Sequence, residues 1–477
     1  METMAVSTTS RSSSSSSSSK WLVSLKELKK VSLVAAPMVA VTVLQYLLQV
    51  VSIMMVGHLG QLSLSAASIA SSFTSVTGFS LLFGMAGGLE TLCGQAYGAE
   101  QYHKLATYTY TAIASMTLIC FPISILWLFL TDKLLILTGQ DHSVSKLARS
   151  YSICLIPNLF SYAILQALIR YFQAQSLITP LLFSSLATLC IHIPLCWALV
   201  FRSGLGTIGA ALAVSLSYWV YVVLLGVYMA RSAECMRTRC KFVFKDVLLA
   251  AGEFLRFAAP SAVMTCLEWW SYEVLILLSG LLPSPKVETS VLSICFTITY
   301  LHYFIPYGFG ATVSTRVSNE LGAGNPRAAK MAVGAILVLA IIELVVVIVP
   351  LVLCRRFLGY AFSSDKEIVK KVADMAPFIC ASVVMDTLQT VLSGVVRGIG
   401  WQNLGAYVNL GAYYLVGTPV AVVLAFVVHI GGKGLLIGLA SGSFVQATMF
   451  AFRIALTDWQ QQASKARERI FHGGDDA

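Results

Sequence analysis

Runs of about twenty apolar residues, each closed off by a short polar segment, recur along nearly the whole of this chain. Such a run crosses the hydrocarbon core of a bilayer as a helix, roughly 30 Å at 1.5 Å per residue. In lipid the helix satisfies every backbone N–H and C=O within one segment, which is why it is the expected form. Twelve runs are predicted, at 31–56, 64–90, 105–130, 147–169, 178–201, 208–230, 257–282, 289–315, 329–354, 373–396, 404–428 and 434–456. Composition agrees: 57% of the residues are apolar and 11% charged, against ~25% charged in soluble domains. So few charges cannot cover a water-soluble chain of 477 residues. The expected class is an all-α polytopic membrane protein with twelve transmembrane helices.

The formal net charge of +10 does not point to nucleic acid, because the Lys and Arg residues sit mostly between apolar runs. There they act as topology signals and meet anionic lipid. An even number of spans puts both termini on one side. The loops of that side, tails included, hold about 20 Lys and Arg against about 10 opposite, so the termini are expected in the cytoplasm. The loop with Arg355, Arg356, Lys366, Lys370 and Lys371 runs against this trend. Residues 1–30 are expected to be a disordered Ser-rich tail and a short surface helix. In that helix Trp21, Leu22, Leu25 and Leu28 recur at helical spacing among lysines; an extension of the first span reads equally well. No cleavable signal peptide is expected from a serine run without an apolar core. Most of the 11 cysteines lie inside apolar runs and read as small core residues. Cys235 and Cys240, in the central loop, have no His or Cys cluster beside them and are not expected to hold zinc.

The chain also repeats itself. Ala35-Ala36-Pro37 opens the first span and Ala258-Ala259-Pro260 the seventh. Leu92-Cys93-Gly94-Gln95-Ala96-Tyr97-Gly98-Ala99 follows the second span, and Val317-Ser318-Asn319-Glu320-Leu321-Gly322-Ala323-Gly324 the eighth. Arg170-x-x-Gln173-x-Gln175 matches the stretch from Arg397 to Gln402. The fold therefore reads as two pseudo-symmetric six-helix lobes: an N-lobe at 31–230, a cytoplasmic linker at 231–256, a C-lobe at 257–456 and a cytoplasmic tail at 457–477. Six spans per half give both halves the same orientation, an arrangement found in transporters.

Charges inside the spans are few, and each calls for a reason. Glu268 lies in an apolar run, where a mid-membrane carboxylate costs roughly 2.5 kcal/mol or more. It should face a protein interior or a wet cavity, where desolvation favours holding a proton. Asp386, midway along the tenth span, is read the same way; placed close together, the two would titrate as a pair. Pro260, two turns before Glu268, offers a bend. Gln389 lies one turn from Asp386, and Gln45 and Gln49 share a face of the first span; amides there suit a cavity or bonds between helices. Trp269, Tyr303, Tyr307 and Tyr407 are among the aromatic residues that would offer faces to flat or cationic solutes. Glu273 lies about 140° round the helix from Glu268 and reads equally well as supporting it or walling the cavity, or as a packing residue. Glu90 is expected to anchor a cytoplasmic loop, Glu343 to pair with a Ser, Tyr or Arg, and His192 and His302 to be bonded core histidines. Gly84 and Gly88 read as a close helix contact. No catalytic or phosphate-binding motif is found, so neither an enzyme nor direct ATP coupling is expected.

Several of these stretches resemble signatures of the multidrug and toxic compound extrusion (MATE) family, in its plant detoxification form. They are Gly88–Ala99, Arg316–Gly324, Cys266-Leu267-Glu268-Trp269-Trp270 and Ser279-Gly280-Leu281-Leu282-Pro283, and the resemblance runs from about residue 30 to 456. It implies a proton- or sodium-coupled exporter of organic solutes. Many bacterial members carry an acid in the first span; here that span has Gln45, Tyr46 and Gln49 instead. Plant members similar to this chain have their acidic site on residues matching Glu268 and Asp386. The function expected is therefore secondary export of cationic or aromatic solutes by proton antiport. Sodium coupling, or efflux of citrate-like anions, is the alternative, and a solute channel the alternative of another class. No cofactor beyond the coupling proton or sodium is expected. The partners expected are small organic solutes and membrane lipid, with a monomer in the plasma or vacuolar membrane.

Overall fold

A computed structural model describes residues 12–282, 285–362 and 365–472, with side chains from Leu25 except at 285–289 and 472. The described residues are helical apart from turns and short connections. Besides the short helices Thr131–Leu137 and Leu358–Ala361, the helices in chain order are α1 (Ser12–Gly57), α2 (Gln61–Gly98), α3 (Tyr102–Phe129), α4 (the pair His142–Cys154 and Ile156–Ala174), α5 (Ile178–Arg202), α6 (Gly206–Arg231), α7 (Phe244–Ser279), α8 (Pro285–Gly322), α9 (Pro326–Leu353), α10 (Lys366–Ile399), α11 (Gln402–Val427), α12 (Gly432–Ala455) and α13 (Trp459–His472). Eleven are long and apolar enough to cross a membrane singly, and α4, bent by 47°, makes the twelfth. Pro157 opens the second half of α4; its ring fits a helix start and not a helix interior.

From Ser12 onward the segment expected as a tail and separate surface helix continues straight into α1. Residues 1–11, the start of that tail, lie outside the described residues. The linker is shorter than expected, since α7 already begins at Phe244. The tail after 457 forms α13, whose Trp459, Ala463, Ala466 and Ile470 are buried.

The helices differ in how much lipid they meet. Only 11% of the apolar window of α9 is buried, against 72% for α10. Thus α9 is an outer wall and α10 a central post. The lobes meet along two seams. On one, α2 runs antiparallel to α7: Gly88 lies against Ala258 and Gly84 against Ala262, as their missing side chains allow. On the other, α1 meets α8, where Thr42 donates to the Phe304 carbonyl at 2.8 Å and Tyr46 stacks on Phe304. At the end of the molecule carrying both termini, the terminal face, the lobes touch most tightly. A side chain at Gly98 would collide with the Asn319 carbonyl, and one at Gly322 with that of Gln95.

Candidate functional site

Between the lobes, on the far side of that contact, lies a cavity enclosing about 1570 Å³ of empty space, its mouth included. Its lining reaches Ile53 and Ser71, close to the ends of α1 and α2 away from the termini. Pro260 lies outside the lining, two turns before the residues of α7 that reach it. Glu268 and Asp386 both line the cavity, and both are buried.

Each carboxylate is held from the other's helix. Gln389, on α10, donates its amide to Glu268 Oε1 at 3.1 Å. Tyr272, on α7, donates its hydroxyl to Asp386 Oδ1 at 3.2 Å, and Ser443 of α12 adds a second donor at 3.0 Å. Spacing explains the crossing: Tyr272 is one turn beyond Glu268 and Gln389 one turn beyond Asp386, so each helix turns both groups to one face. Behind them runs a chain of neutral groups. Tyr413 donates to Gln446 at 2.7 Å, Gln446 to Asn409 at 2.7 Å, and Asn409 to the Met264 carbonyl at 2.8 Å, one turn before Glu268. Every one of these donors is uncharged, and among the described residues no ion pair reaches Glu268 or Asp386.

The other expected residues divide. Trp269, Tyr303, Tyr307, Gln45 and Gln49 line the cavity. Trp269 packs on Phe83 with ring centroids 5.1 Å apart, and Tyr303 stacks on Tyr307 at 6.0 Å. Gln45 also donates to Tyr221 at 3.3 Å, so it serves cavity and helix packing together. Gln389 sits behind Glu268, outside the lining. Glu273 is likewise outside it and accepts a hydrogen bond from Ser72 across the lobe seam.

Tyr407 is not a cavity residue: it is 75% exposed. It lies two residues, about 200°, from the inward-facing Asn409, which turns it outward. Glu90 is not a loop anchor. It is buried between the lobes, 3.0 Å from Arg397 and 3.3 Å from Arg170. Glu343 pairs with His302 at 2.7 Å and not with a Ser, Tyr or Arg, so two of the groups read separately form one pair. His192 is a core histidine between Ser52 at 2.9 Å and Ser217 at 2.8 Å.

Tyr272, Ser443, Gln446 and Asn409 are the site residues that sequence reasoning passes over. The available signal is the one that marks Gln389, an amide or hydroxyl inside an apolar span; it does not say which such groups meet. All eleven cysteines are free, and among the described residues no cluster of three or more His, Cys, Asp or Glu could hold a metal.

Comparison with known proteins places the chain's family and fold. The MatE family profile matches residues 37–198 and 260–423, one block in each lobe. Protein DETOXIFICATION 12 of Arabidopsis thaliana is 53% identical over 399 residues, 84% of this chain and 82% of that one. Protein DETOXIFICATION 3 of the same plant is 54% identical over 399 residues, 84% of this chain and 83% of that one. Among solved structures, the eukaryotic MATE transporter AtDTX14 superposes with a TM-score of 0.90 at 53% identity, covering 94% of this chain and 100% of that chain. An outward-facing MATE transporter of the MOP superfamily gives a TM-score of 0.81 at 17% identity over 93% of this chain and 97% of that chain, a likeness of fold. With its profile matched across both lobes and relatives above half identity, this chain belongs to the MatE family and is a multi-pass membrane transporter of the plant detoxification type, not an enzyme.

Proposed function

We propose that the chain exports small organic solutes in exchange for protons, with Glu268 and Asp386 as the site where proton and cargo trade places. One observation carries this reading: two buried carboxylates share a cavity wall and receive only neutral hydrogen bonds. A carboxylate without a cationic partner is costly at membrane depth. A bound proton or a cationic solute removes that cost, and the same oxygens serve both. The aromatic faces of Trp269, Tyr303 and Tyr307 favour flat, cationic cargo, each worth roughly 0.5–2 kcal/mol.

The proposed cycle follows from this competition. With the termini in the cytoplasm, the cavity faces the extracellular or vacuolar side. A proton from that side adds to a carboxylate oxygen, cancels its charge and releases the cation outward. The protonated carrier opens toward the cytoplasm, the proton leaves, and the restored charge binds the next cation. A membrane potential of about 100 mV supplies roughly 2.3 kcal/mol per charge, and one to two pH units add about 1.4–2.7. For a neutral solute the two together support a roughly thousand-fold gradient; for a monovalent cation exchanged one for one the potential cancels, and the pH term alone supports roughly ten- to hundredfold. A monomer suffices, because both lobes and the whole cavity belong to one chain.

Efflux of a fluorescent organic cation from proteoliposomes under an imposed pH gradient tests the proposal. Glu268→Gln and Asp386→Asn are each expected to lower proton-driven transport by roughly 5–150-fold. Wild-type efflux with intact proton coupling in both variants would overturn the mechanism. Transport that ignores pH and follows sodium would change the coupling ion, and absence of counterflow would indicate a channel.

A further inference from the structure

We infer that Glu90 is the lock of the terminal face, one carboxylate shared by two arginines from opposite lobes, whose release admits the cytoplasm to the cavity. This rests on the alternating-access reading above. It adds a third acid to the transport cycle, one that works on the lobes and not on the cargo.

Glu90 sits on α2 of the N-lobe, and its two oxygens are divided. Oε2 meets Arg397 Nε of α10 in the C-lobe at 3.0 Å, and Oε1 meets Arg170 Nε of α4 in its own lobe at 3.3 Å. Arg170 also crosses between lobes, donating from Nη2 to the Tyr307 hydroxyl at 2.8 Å. The two arginines occupy matching places in the two repeats, each five residues before a glutamine, Gln175 or Gln402. They therefore approach the lobe boundary from opposite sides. Tyr307 and Phe83, whose rings lie 5.4 Å apart, line the cavity, and the ion cluster lies directly beneath them.

Neutral bonds continue the closure toward the terminal face. Thr91 donates to the Arg397 carbonyl and accepts from Gln402, Gln173 donates to the Ala311 carbonyl at 2.9 Å, and Gln95 points at the carbonyls of Gly398 and Ile399. Over this end lies α13. Its Ile470 packs in the N-lobe core, Ala463 and Ala466 pack in that of the C-lobe, and Arg469 donates to Gln95 at 2.7 Å.

The charges make the cluster a lock and not a plain contact. Two arginines, Arg170 buried and Arg397 partly so, face one buried carboxylate, and Arg397 Nη2 has no hydrogen-bond partner. When the lobes part, Glu90 and Arg170 stay together, since both belong to the N-lobe. Arg397 leaves with the C-lobe and must be taken up by water entering from the terminal side. The closed face is thus held by the Glu90–Arg397 bond, and the open one by hydration of Arg397.

Cysteine accessibility tests this in the full chain in proteoliposomes, in a background without native cysteines. Ser318→Cys reports the terminal face, because Ser318 is buried against Gly94 there. Ser75→Cys reports the cavity wall. In Glu90→Gln, a membrane-impermeant maleimide on the terminal side should label position 318 faster by about tenfold or more, the effect of losing one charged hydrogen bond. Labelling of position 75 from the other side should fall. Arg397→Gln should do the same, and the double variant should add nothing further, because both changes break one bond. Glu90→Asp, which keeps the charge, should stay near the parent. Unchanged rates at both positions in folded, monodisperse Glu90→Gln would overturn the lock, as would full additivity of the two changes. Should position 318 resist labelling in the unaltered chain under either direction of the pH gradient, the transport reading falls and the lock falls with it.

Discussion

Eight residues beyond the proline of its first span, the N-lobe carries Gln45; eight residues beyond the matching proline, the C-lobe carries Glu268. Eleven residues before its arginine the N-lobe has Leu159, and the C-lobe has Asp386. The two lobes repeat one fold but give the cavity two unlike walls. Aromatic rings line both walls in equal number, but the N-lobe wall adds the amides Gln45, Gln49, Asn158 and Gln166, and the C-lobe wall adds both acids. At the terminal face the asymmetry reverses. There the acid, Glu90, belongs to the N-lobe, and its counterpart in the second repeat is Ser314. The comparison teaches that equivalent positions share backbone geometry while single side chains divide the labour. In the proposed mechanism one lobe binds the proton, and the other supplies the carboxylate that closes the seam.

The strongest way to break this comparison is to move the acid. Glu268→Gln is expected to lower proton-coupled efflux by roughly 5–150-fold, the range of a 1–3 kcal/mol coupling. Gln45→Glu added to it should not restore coupling, because Gln45 has Tyr221 beside it and lacks the bracing that Gln389 gives Glu268. Restored efflux would show that the lobes are interchangeable at this position. Next in size, Ser443→Ala removes a donor from Asp386 and should shift the pH midpoint of transport and leave the melting temperature of the purified protein within a few degrees. An unshifted midpoint would detach Asp386 from coupling. A smaller effect is expected on the N-lobe wall: Gln49→Leu should raise the substrate KM by about fivefold, one neutral hydrogen bond, with proton coupling intact. Loss of coupling there would spread the proton site over both lobes. Smallest of all, Tyr407→Leu on the outer face should leave KM and maximal rate within about a factor of two, as exposed substitutions do.

Much of this was open to reading in the sequence. The apolar runs and the paired motifs define twelve spans in two lobes, because lipid admits few other forms. Glu268 and Asp386 stand out by the cost of a charge in such a run. Partnerships were not readable. His302 and Glu343 lie 41 residues apart, and no local pattern joins them. Glu90 looked like a loop anchor because it ends an apolar run; its partners, 80 and 307 residues further on, are known only once the lobes meet.

What the chain by itself determined is which segments cross the membrane, how they repeat, and which side chains are too costly to face lipid. Those follow from hydrophobicity and helical period, which are local properties. Tertiary structure alone decided that Gln389 braces Glu268, that Tyr272 and Ser443 brace Asp386, that Tyr407 faces away, and that Glu90 joins the lobes. These depend on how each helix is turned about its axis and which neighbour it meets. That rotation is set by packing summed over the whole bundle, which no single span encodes.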